Sequence, residues 1–280
     1  MWIDTHCHLD AGEFAGEAEE IAARAAQRGV DWIVIPAVAR DNFDAVAQLA
    51  HRVPNGAYAL GIHPIFVPQA AEDDLRLMRD AVAAAMSDAR FVGIGEIGLD
   101  FFIPELKAGP MREKQEYFYS EQLKIARDFS LPVLLHVRRS VDIILKYLRR
   151  ITVAGGFAHA YNGSFQQAEE FIRLGFRMGF GGAMTFTRAL QLRRLAAQLP
   201  LDAIVLETDA PDIAPAWVHP GRNSPEELPR IGEVLASLRG IDTADLARAA
   251  CANAMAVLPR LALLAQSPPA PSTTAAPHSA

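Results

Sequence analysis

The chain has 280 residues, 51% hydrophobic and 21% charged, with 33 acidic and 27 basic residues and a formal net charge of −6. This composition is too hydrophobic for a disordered chain, two cysteines cannot build a disulfide framework, and no apolar run is long enough to cross a bilayer. The N-terminal residues lack the pattern of a signal peptide, so we expect a cytoplasmic protein without membrane attachment or an obligate protein partner.

Eight short apolar runs alternate with amphipathic stretches along the chain. The runs predict strands at residues 2–6, 32–35, 59–62, 92–95, 133–136, 156–159, 177–180 and 204–207. Helical patterns between them include residues 21–28, 75–86, 118–129 and 190–199. The uninterrupted repeat favours a single (β/α)8 TIM-like barrel over two doubly wound halves. We assign the barrel to residues 1–265 and a Pro-, Ser- and Ala-rich flexible tail to residues 266–280.

Two helix starts carry the spacing of a capping box, in which two residues three apart satisfy each other's backbone N–H groups. Ser164 pairs with Gln167 in this pattern, and Ser224 pairs with Glu227. Pro225 follows Ser224 at a position that suits the first turn of a helix.

The first chemical signal is His6-Cys7-His8 at the end of the first predicted strand. Because side chains alternate along a strand, the two histidines can point to one side while Cys7 points to the other. Two ordinary histidines explain this pair as well as a shared metal ion does, so the decision depends on the rest of the chain.

Further polar residues follow other predicted strands, and the carboxyl ends of barrel strands meet at one mouth. Burying several histidines and carboxylates there without a cation is costly. His, Asp and Glu without a thiolate suit Zn²⁺, Mn²⁺ or Mg²⁺ in a site open to water. The predicted metal ligands are His6, His8, Glu96, His136, His159 and Asp209.

The order of these motifs resembles the TatD-related metal-dependent hydrolases, within the amidohydrolase-like barrels. The resemblance extends from Trp2 to about Pro259 and does not include the tail. The matching segments are Asp4-Thr5-His6-Cys7-His8-Leu9-Asp10, Gly61-Ile62-His63-Pro64, Gly95-Glu96-Ile97-Gly98-Leu99-Asp100, Leu131-Pro132-Val133 with His136-Val137-Arg138, Leu206-Glu207-Thr208-Asp209-Ala210-Pro211, Asn223-Ser224-Pro225 and Asn253-Ala254.

The resemblance implies two divalent metal ions. His6, His8, Glu96 and Asp209 would hold one ion, and Glu96 would bridge to a second ion held with His136 and His159. The chain departs from the family at Ala160-Tyr161-Asn162-Gly163, where relatives commonly have Cys-Phe-Ser-Gly, and at Asp212-Ile213. Tyr161 would still offer an aromatic face, but the substrate contacts of this loop are not carried over.

The metal ligands predict hydrolysis, because a divalent ion lowers the pKa of a bound water from 15.7 to about 7 and so provides hydroxide. We expect Asp209 to accept a proton, and His63 and Arg138 to act on the phosphate of the substrate. Arg222 is a further candidate for phosphate binding. Turn and surface roles are the alternatives for these last three residues.

The predicted function is hydrolysis of phosphoesters, as in a TatD-like deoxyribonuclease, with DNA ends or nucleotides as substrates. The alternatives are a small-molecule amidohydrolase or lactonase of the same superfamily, and a non-catalytic metal-binding protein. The acidic net charge argues against a broad basic surface for nucleic acid, so binding would be confined to one cleft.

Overall fold

Eight parallel β-strands form one sheet in which each strand pairs with the next along the chain. The computed structural model describes residues 1–266, so the predicted tail lies outside the described residues except for Gln266. The strands are β1 (Trp2–Asp4), β2 (Val30–Pro36), β3 (Gly56–Leu60), β4 (Phe91–Asp100), β5 (Val133–Arg138), β6 (Gly156–Ala158), β7 (Phe176–Phe180) and β8 (Ile204–Leu206).

Helices alternate with these strands and surround the sheet, as in a (β/α)8 barrel. They are α1 (Ala18–Gln27), α2 (Phe43–Arg52), α3 (Asp73–Ala85), α4 (Gly109–Asp128), α5 (Val141–Leu148), α6 (Phe165–Arg173), α7 (Leu190–Gln198), α8 (Leu228–Arg239), α9 (Thr243–Val257) and α10 (Pro259–Gln266). The predicted TIM-like barrel is confirmed.

The barrel closes where the chain just after β1 meets the chain at the end of β8. The N–H of Thr5 donates to the Leu206 carbonyl at 3.1 Å, and the N–H of Asp209 donates to the His6 carbonyl at 2.8 Å. Asp4 reinforces this seam, because its carboxylate accepts hydrogen bonds from the N–H (2.9 Å) and the hydroxyl (2.6 Å) of Thr208.

The fourth strand is longer than predicted, since the prediction ended it at residue 95 and β4 continues to Asp100. Glu96 therefore lies within the strand and not beyond its end. All ten residues of β4 are buried, so their sequence carries no polar alternation that would mark the end of the strand. The pairing of β4 with β5 shifts register between Ile94 and Ile97, next to Glu96.

The two predicted capping boxes have different outcomes. Ser164 and Gln167 form the reciprocal pair, with hydrogen bonds of 3.1 and 2.9 Å. The box at Ser224 is wrong, because the Ser224 hydroxyl accepts from the N–H of Glu226 at 3.3 Å. The carboxylate of Glu227 instead accepts a hydrogen bond from the Trp217 indole at 2.7 Å.

The hydrophobic core has two parts. The larger part lies between the sheet and the surrounding helices α1–α9. The second part includes strand residues such as Val34, Leu134 and Val205 from the inner face of the barrel, and α9 and α10 cover it with Cys251 and Leu261. Within residues 1–266, no single helix has the length and apolar character of a membrane span; only α9 with α10, bent by 113°, meets that test as a broken pair.

Candidate metal centre

The carboxylate of Glu96 lies at the centre of a histidine cluster at the barrel mouth. Its Oε2 atom is 3.2 Å from Nε2 of both His6 and His8. Its Oε1 atom is 3.0 Å from Nδ1 of His136 and 3.5 Å from Nε2 of His63. The Nε2 atom of His159 also lies 3.6 Å from Oε1, so Oε2 of this buried carboxylate faces two imidazoles and Oε1 faces three.

Asp209 completes the group around His6 and His8. Its Oδ1 atom lies 3.7 Å from Nε2 of each histidine, and its Oδ2 atom lies 3.9 Å from Nε2 of His159. Asp209 has a left-handed backbone (φ 57°), a conformation that Asp tolerates better than most residues and that is typical of functional sites.

Three groups of ligand atoms in the described residues are close enough to hold a metal ion, with all atoms of a group within 4.8 Å of one another. They are His6, His8 and Asp209; His6, Glu96 and His159; and His63, Glu96 and His136. The structure thus brings together all six predicted ligands and adds His63, for which the sequence predicts only a role at the phosphate. The ring of His63 lies closer to that of His136 (4.3 Å) than the ring of His159 does (6.0 Å).

Three buried carboxylates outside these groups hold the ligands in place, and none of them was predicted to have this role. Asp100 Oδ2 lies 3.1 Å from Nε2 of His136, and Glu207 Oε1 lies 3.2 Å from Nδ1 of His159. Asp4 accepts the N–H of His6 at 3.3 Å. Each lies two or four residues from a predicted ligand along the chain. This spacing places side chains on the same face of a strand, and it is the feature of the sequence from which these carboxylates could have been predicted.

A glycine in β4 allows this strand to pass close to His136. Gly98 has a φ of +147°, and a Cβ atom there would lie 2.1 Å from the His136 carbonyl oxygen. Only glycine lets β4 pass this close to the residue that carries the imidazole.

Burial and charge divide the histidines into two kinds. Burial lowers the pKa of His6 and brings that of His63 to about 4. Burial acts in the same direction on the other three, but nearby carboxylates outweigh it. Asp100 and Glu96 raise the pKa of His136, and Glu96 and Asp209 raise the pKa of His8 to about 9. Asp209 and Glu207 likewise raise the pKa of His159 to about 10.

These residues fit a divalent cation. The raised pKa values mean that the carboxylates favour positive charge at His8 and His159, which a metal ion would supply in place of protons. The histidines also hold the pKa of Glu96 well below its usual range, despite burial that acts to raise it, so this carboxylate is ionised. Imidazole and carboxylate ligands without sulfur suit Zn²⁺, Mn²⁺ or a similar ion.

The cluster opens into a cavity of about 1290 Å³ at the mouth. His63 and Arg138 line it, and their predicted role in binding a substrate phosphate stays a prediction. Arg222 does not line this cavity. Its guanidinium donates to the Glu13 carbonyl and pairs with the Glu17 carboxylate at 3.0 Å, so the structure does not bring it to the site.

In the loop that departs from the family pattern, residues 160–163, the residues that line the cavity do not include the one expected from the sequence. Tyr161 is fully buried, packs against Phe171 at 5.9 Å and donates its hydroxyl to the Ser164 carbonyl at 2.6 Å. Its ring is therefore not an aromatic face for a substrate. Asn162 and Gly163 line the cavity instead.

The model of the family described as TatD related DNase matches residues 3–259. The chain belongs to this family. Its membership confirms the resemblance found in the motifs and the predicted class, a metal-dependent hydrolase. The match ends at Pro259, where the motif resemblance also ended.

Relatives within the TatD family cover nearly the whole chain. The uncharacterized metal-dependent hydrolase YjjV of Escherichia coli is 39% identical over 253 residues, which are 90% of this chain and 95% of the relative. The crystal structure of E. coli YjjV, a TatD homologue, has a TM-score of 0.87 and covers 92% of this chain and 98% of that one. Human deoxyribonuclease TATDN3 is 29% identical, with 94% of this chain and 97% of the relative covered.

Proposed function

We propose that this TatD-family chain hydrolyses phosphoester bonds at DNA ends or in nucleotides, with two divalent ions at the barrel mouth. The observation that carries the proposal is the Glu96 carboxylate, which has two imidazoles near one oxygen and three near the other, in a cavity that Arg138 also lines. The family description and the name of human TATDN3, a deoxyribonuclease, support DNA as the substrate class. A cytoplasmic location stays a prediction.

The residues divide between the two ions around Glu96. His6, His8 and Asp209 would hold one ion, and His136 would hold the other with His159 or His63. When bound, divalent ions polarise a phosphoryl oxygen and lower the pKa of water, which provides a nucleophile at neutral pH.

The protein's own groups then orient the substrate and move the proton. The Asp209 carboxylate faces both the His6–His8 pair and His159, where it can accept a proton during the reaction. Arg138 presents the planar fork of N–H donors that matches phosphate oxygens, and its Nη1 is 3.7 Å from Asp100 Oδ2.

The proposal is tested with thymidine 5′-p-nitrophenyl phosphate and a p-nitrophenyl amide, each assayed with the metal-loaded protein. We expect turnover of the phosphodiester, no turnover of the amide, and a loss of at least about 100-fold in kcat for Asp209→Asn. Asp202→Asn changes an exposed carboxylate between α7 and β8, at the opposite end of the barrel, and serves as the control. Hydrolysis of the amide alone would overturn the proposal, as would full activity of Asp209→Asn.

A further inference from the structure

Two consecutive arginines lie over one aromatic ring at the edge of the cavity. The guanidinium carbon of Arg138 is 3.9 Å from the centre of the Phe102 ring, and that of Arg139 is 4.7 Å from it. Both arginines and Phe102 are exposed and line the cavity. The ring holds both cationic groups in position while their N–H donors stay accessible.

The charges of these two arginines are compensated differently. Arg138 has a carboxylate partner, Asp100, which also contacts His136. Among residues 1–266, no carboxylate lies within ion-pair distance of the Arg139 guanidinium. Arg139 is thus an uncompensated cation in the cavity that the histidine cluster also lines, at a place where an anion would be stabilised.

The cavity is electrically asymmetric. Arg112, Arg138 and Arg139 belong to β4, β5 and the segments that follow them, on one side of the eight-stranded ring. Asp10 and Asp212 follow β1 and β8, which meet at the seam on the other side. Asp142 also lines the cavity on the β5 side, where its exposed carboxylate accepts a hydrogen bond from Gln167 at 2.7 Å. Three arginines against this one exposed carboxylate still favour an anionic chain on the β4–β5 side.

The backbone at Arg139 is also unusual. Arg139 has a φ of 56°, a left-handed conformation that costs a residue other than Gly, Asn or Asp about 1 kcal/mol or more. The next residue, Ser140, holds this turn through a 2.6 Å hydrogen bond from its buried hydroxyl to the Leu99 carbonyl. The turn ends β5 and places the Arg139 side chain over Phe102 instead of leaving it in solvent.

We propose that Arg139, held on Phe102, binds a second phosphate that neighbours the one being hydrolysed, while Arg138 faces the scissile phosphate. The guanidinium carbons of Arg138 and Arg139 lie 3.9 and 4.7 Å from the same ring centre, so they are at most about 9 Å apart. This is on the scale of neighbouring phosphates in an extended nucleic acid strand. The subsite selects substrates with at least two phosphates, and this inference rests on the proposed function.

Binding and turnover are measured separately with the metal-loaded protein. Isothermal titration compares thymidine 5′-phosphate with thymidine 3′,5′-bisphosphate, and KM is compared between d(TpT) and its phosphorylated forms d(pTpT) and d(TpTp). We expect the second phosphate to tighten binding and to lower KM for at least one phosphorylated dinucleotide, each by about tenfold. Arg139→Gln should remove both advantages and leave kcat for d(TpT) unchanged.

Arg150→Gln is the matched control, because Arg150 is also exposed but follows α5 and does not line the cavity. Phe102→Leu should reduce the advantage of the second phosphate by removing the ring under both arginines. Equal affinity for the two thymidine phosphates in the wild type would overturn the subsite. So would an Arg139→Gln variant that keeps the wild-type ratio of affinities for the bisphosphate and the monophosphate. If the bisphosphate binds tightly but no dinucleotide is cleaved, the subsite stands and the proposed hydrolysis fails.

Discussion

Glu207 Oε1 lies 3.2 Å from Nδ1 of His159 and also accepts the N–H of Ala160 at 2.6 Å. The carboxylate thereby favours the proton on Nδ1 of His159 and leaves Nε2 directed at Glu96 and Asp209. Space for this carboxylate exists only because residue 179 is glycine, since a Cβ there would lie 2.0 Å from Glu207 Oε2.

This relationship predicts that Glu207→Gln weakens metal binding. The amide keeps the shape of the side chain but removes the charge that stabilises the His159 imidazole, so we expect metal affinity to fall about 10- to 100-fold. Competition with a chelator measures the affinity, and circular dichroism checks the fold. Glu233→Gln, at an exposed position of α8, is the control. Equal affinities in wild type and Glu207→Gln would show that Glu207 has only a structural role.

The ligands of the second ion are tested by metal content. Because His63, Glu96 and His136 form a close group, we expect His63→Asn to lower the bound metal by one ion per chain and to leave the group of His6, His8 and Asp209 loaded. Mass spectrometry of the dialysed protein measures the content. His51→Asn, which alters a histidine paired with Asp88 away from the mouth, is the control.

A different result would reassign this ligand. If His63→Asn retains all its metal and His159→Asn loses one ion, then His159 completes the second site, as the family resemblance implies. His63 would in that case remain available for the phosphate.

The packing of α8 on β1 predicts that one added methyl group at Gly232 destabilises the fold. A Cβ atom at Gly232 would lie 2.4 Å from the buried Trp2 ring. Alanine favours a helix by about 1 kcal/mol over glycine, but the clash should exceed this gain and lower the free energy of unfolding by about 1–3 kcal/mol. Urea denaturation measures the change.

Two variants make that prediction specific. Gly12→Ala meets no atom within 4 Å and should leave stability close to that of the wild type. In a Trp2→Leu background the further loss caused by Gly232→Ala should be smaller than in the wild type, because the smaller side chain makes room for the methyl group. A more stable Gly232→Ala protein would contradict the close contact between α8 and the Trp2 ring.

Asp88 gives a prediction for pH. Burial acts to raise its pKa, but hydrogen bonds from His51, the Arg90 N–H and Tyr58 outweigh it and hold the pKa below the ordinary value of 3.8. A lowered pKa means that the ionised carboxyl stabilises the fold above about pH 4 and that this contribution is lost as the pH falls through the folded-state value.

We therefore expect Asp88→Asn to cost about 1–2 kcal/mol of unfolding free energy at pH 7 and progressively less as the pH falls below 4. Denaturant titrations at several pH values measure the difference from the wild type. Tyr58→Phe removes one of the three partners and should show a smaller cost. A difference that stays constant down to pH 2.5 would contradict the assignment.

Much of this architecture can be predicted from the sequence. A buried parallel strand appears in the sequence as a short apolar run, and a helix that covers the sheet appears as apolar residues repeated at helical spacing. The convergence of His6, Glu96, His136, His159 and Asp209 follows from that topology, since the carboxyl ends of barrel strands share one mouth. The Ser164 capping box depends only on neighbours in the chain and was equally predictable.

Contacts between distant segments were not accessible in this way. The carboxyl of Glu227 meets the Trp217 indole, a partner that spacing within the helix start cannot reveal. Arg222 and Tyr161 have residue types that suit a substrate site, but packing against Phe14 and Phe171 places one guanidinium and one ring elsewhere. Local patterns identify which residue types are present, whereas tertiary packing decides where they point.

The seam between β1 and β8 joins Asp4 to Thr208, 204 residues apart in the chain, and it also unites His6 and His8 with Asp209. Those three ligands cannot meet in a partly synthesised chain that lacks the last strand. Closing so long a loop is entropically costly, and a ligand that binds only the closed ring would shift the folding equilibrium toward it. Metal uptake by this group would therefore report the completion of the barrel during biosynthesis, before any substrate is present.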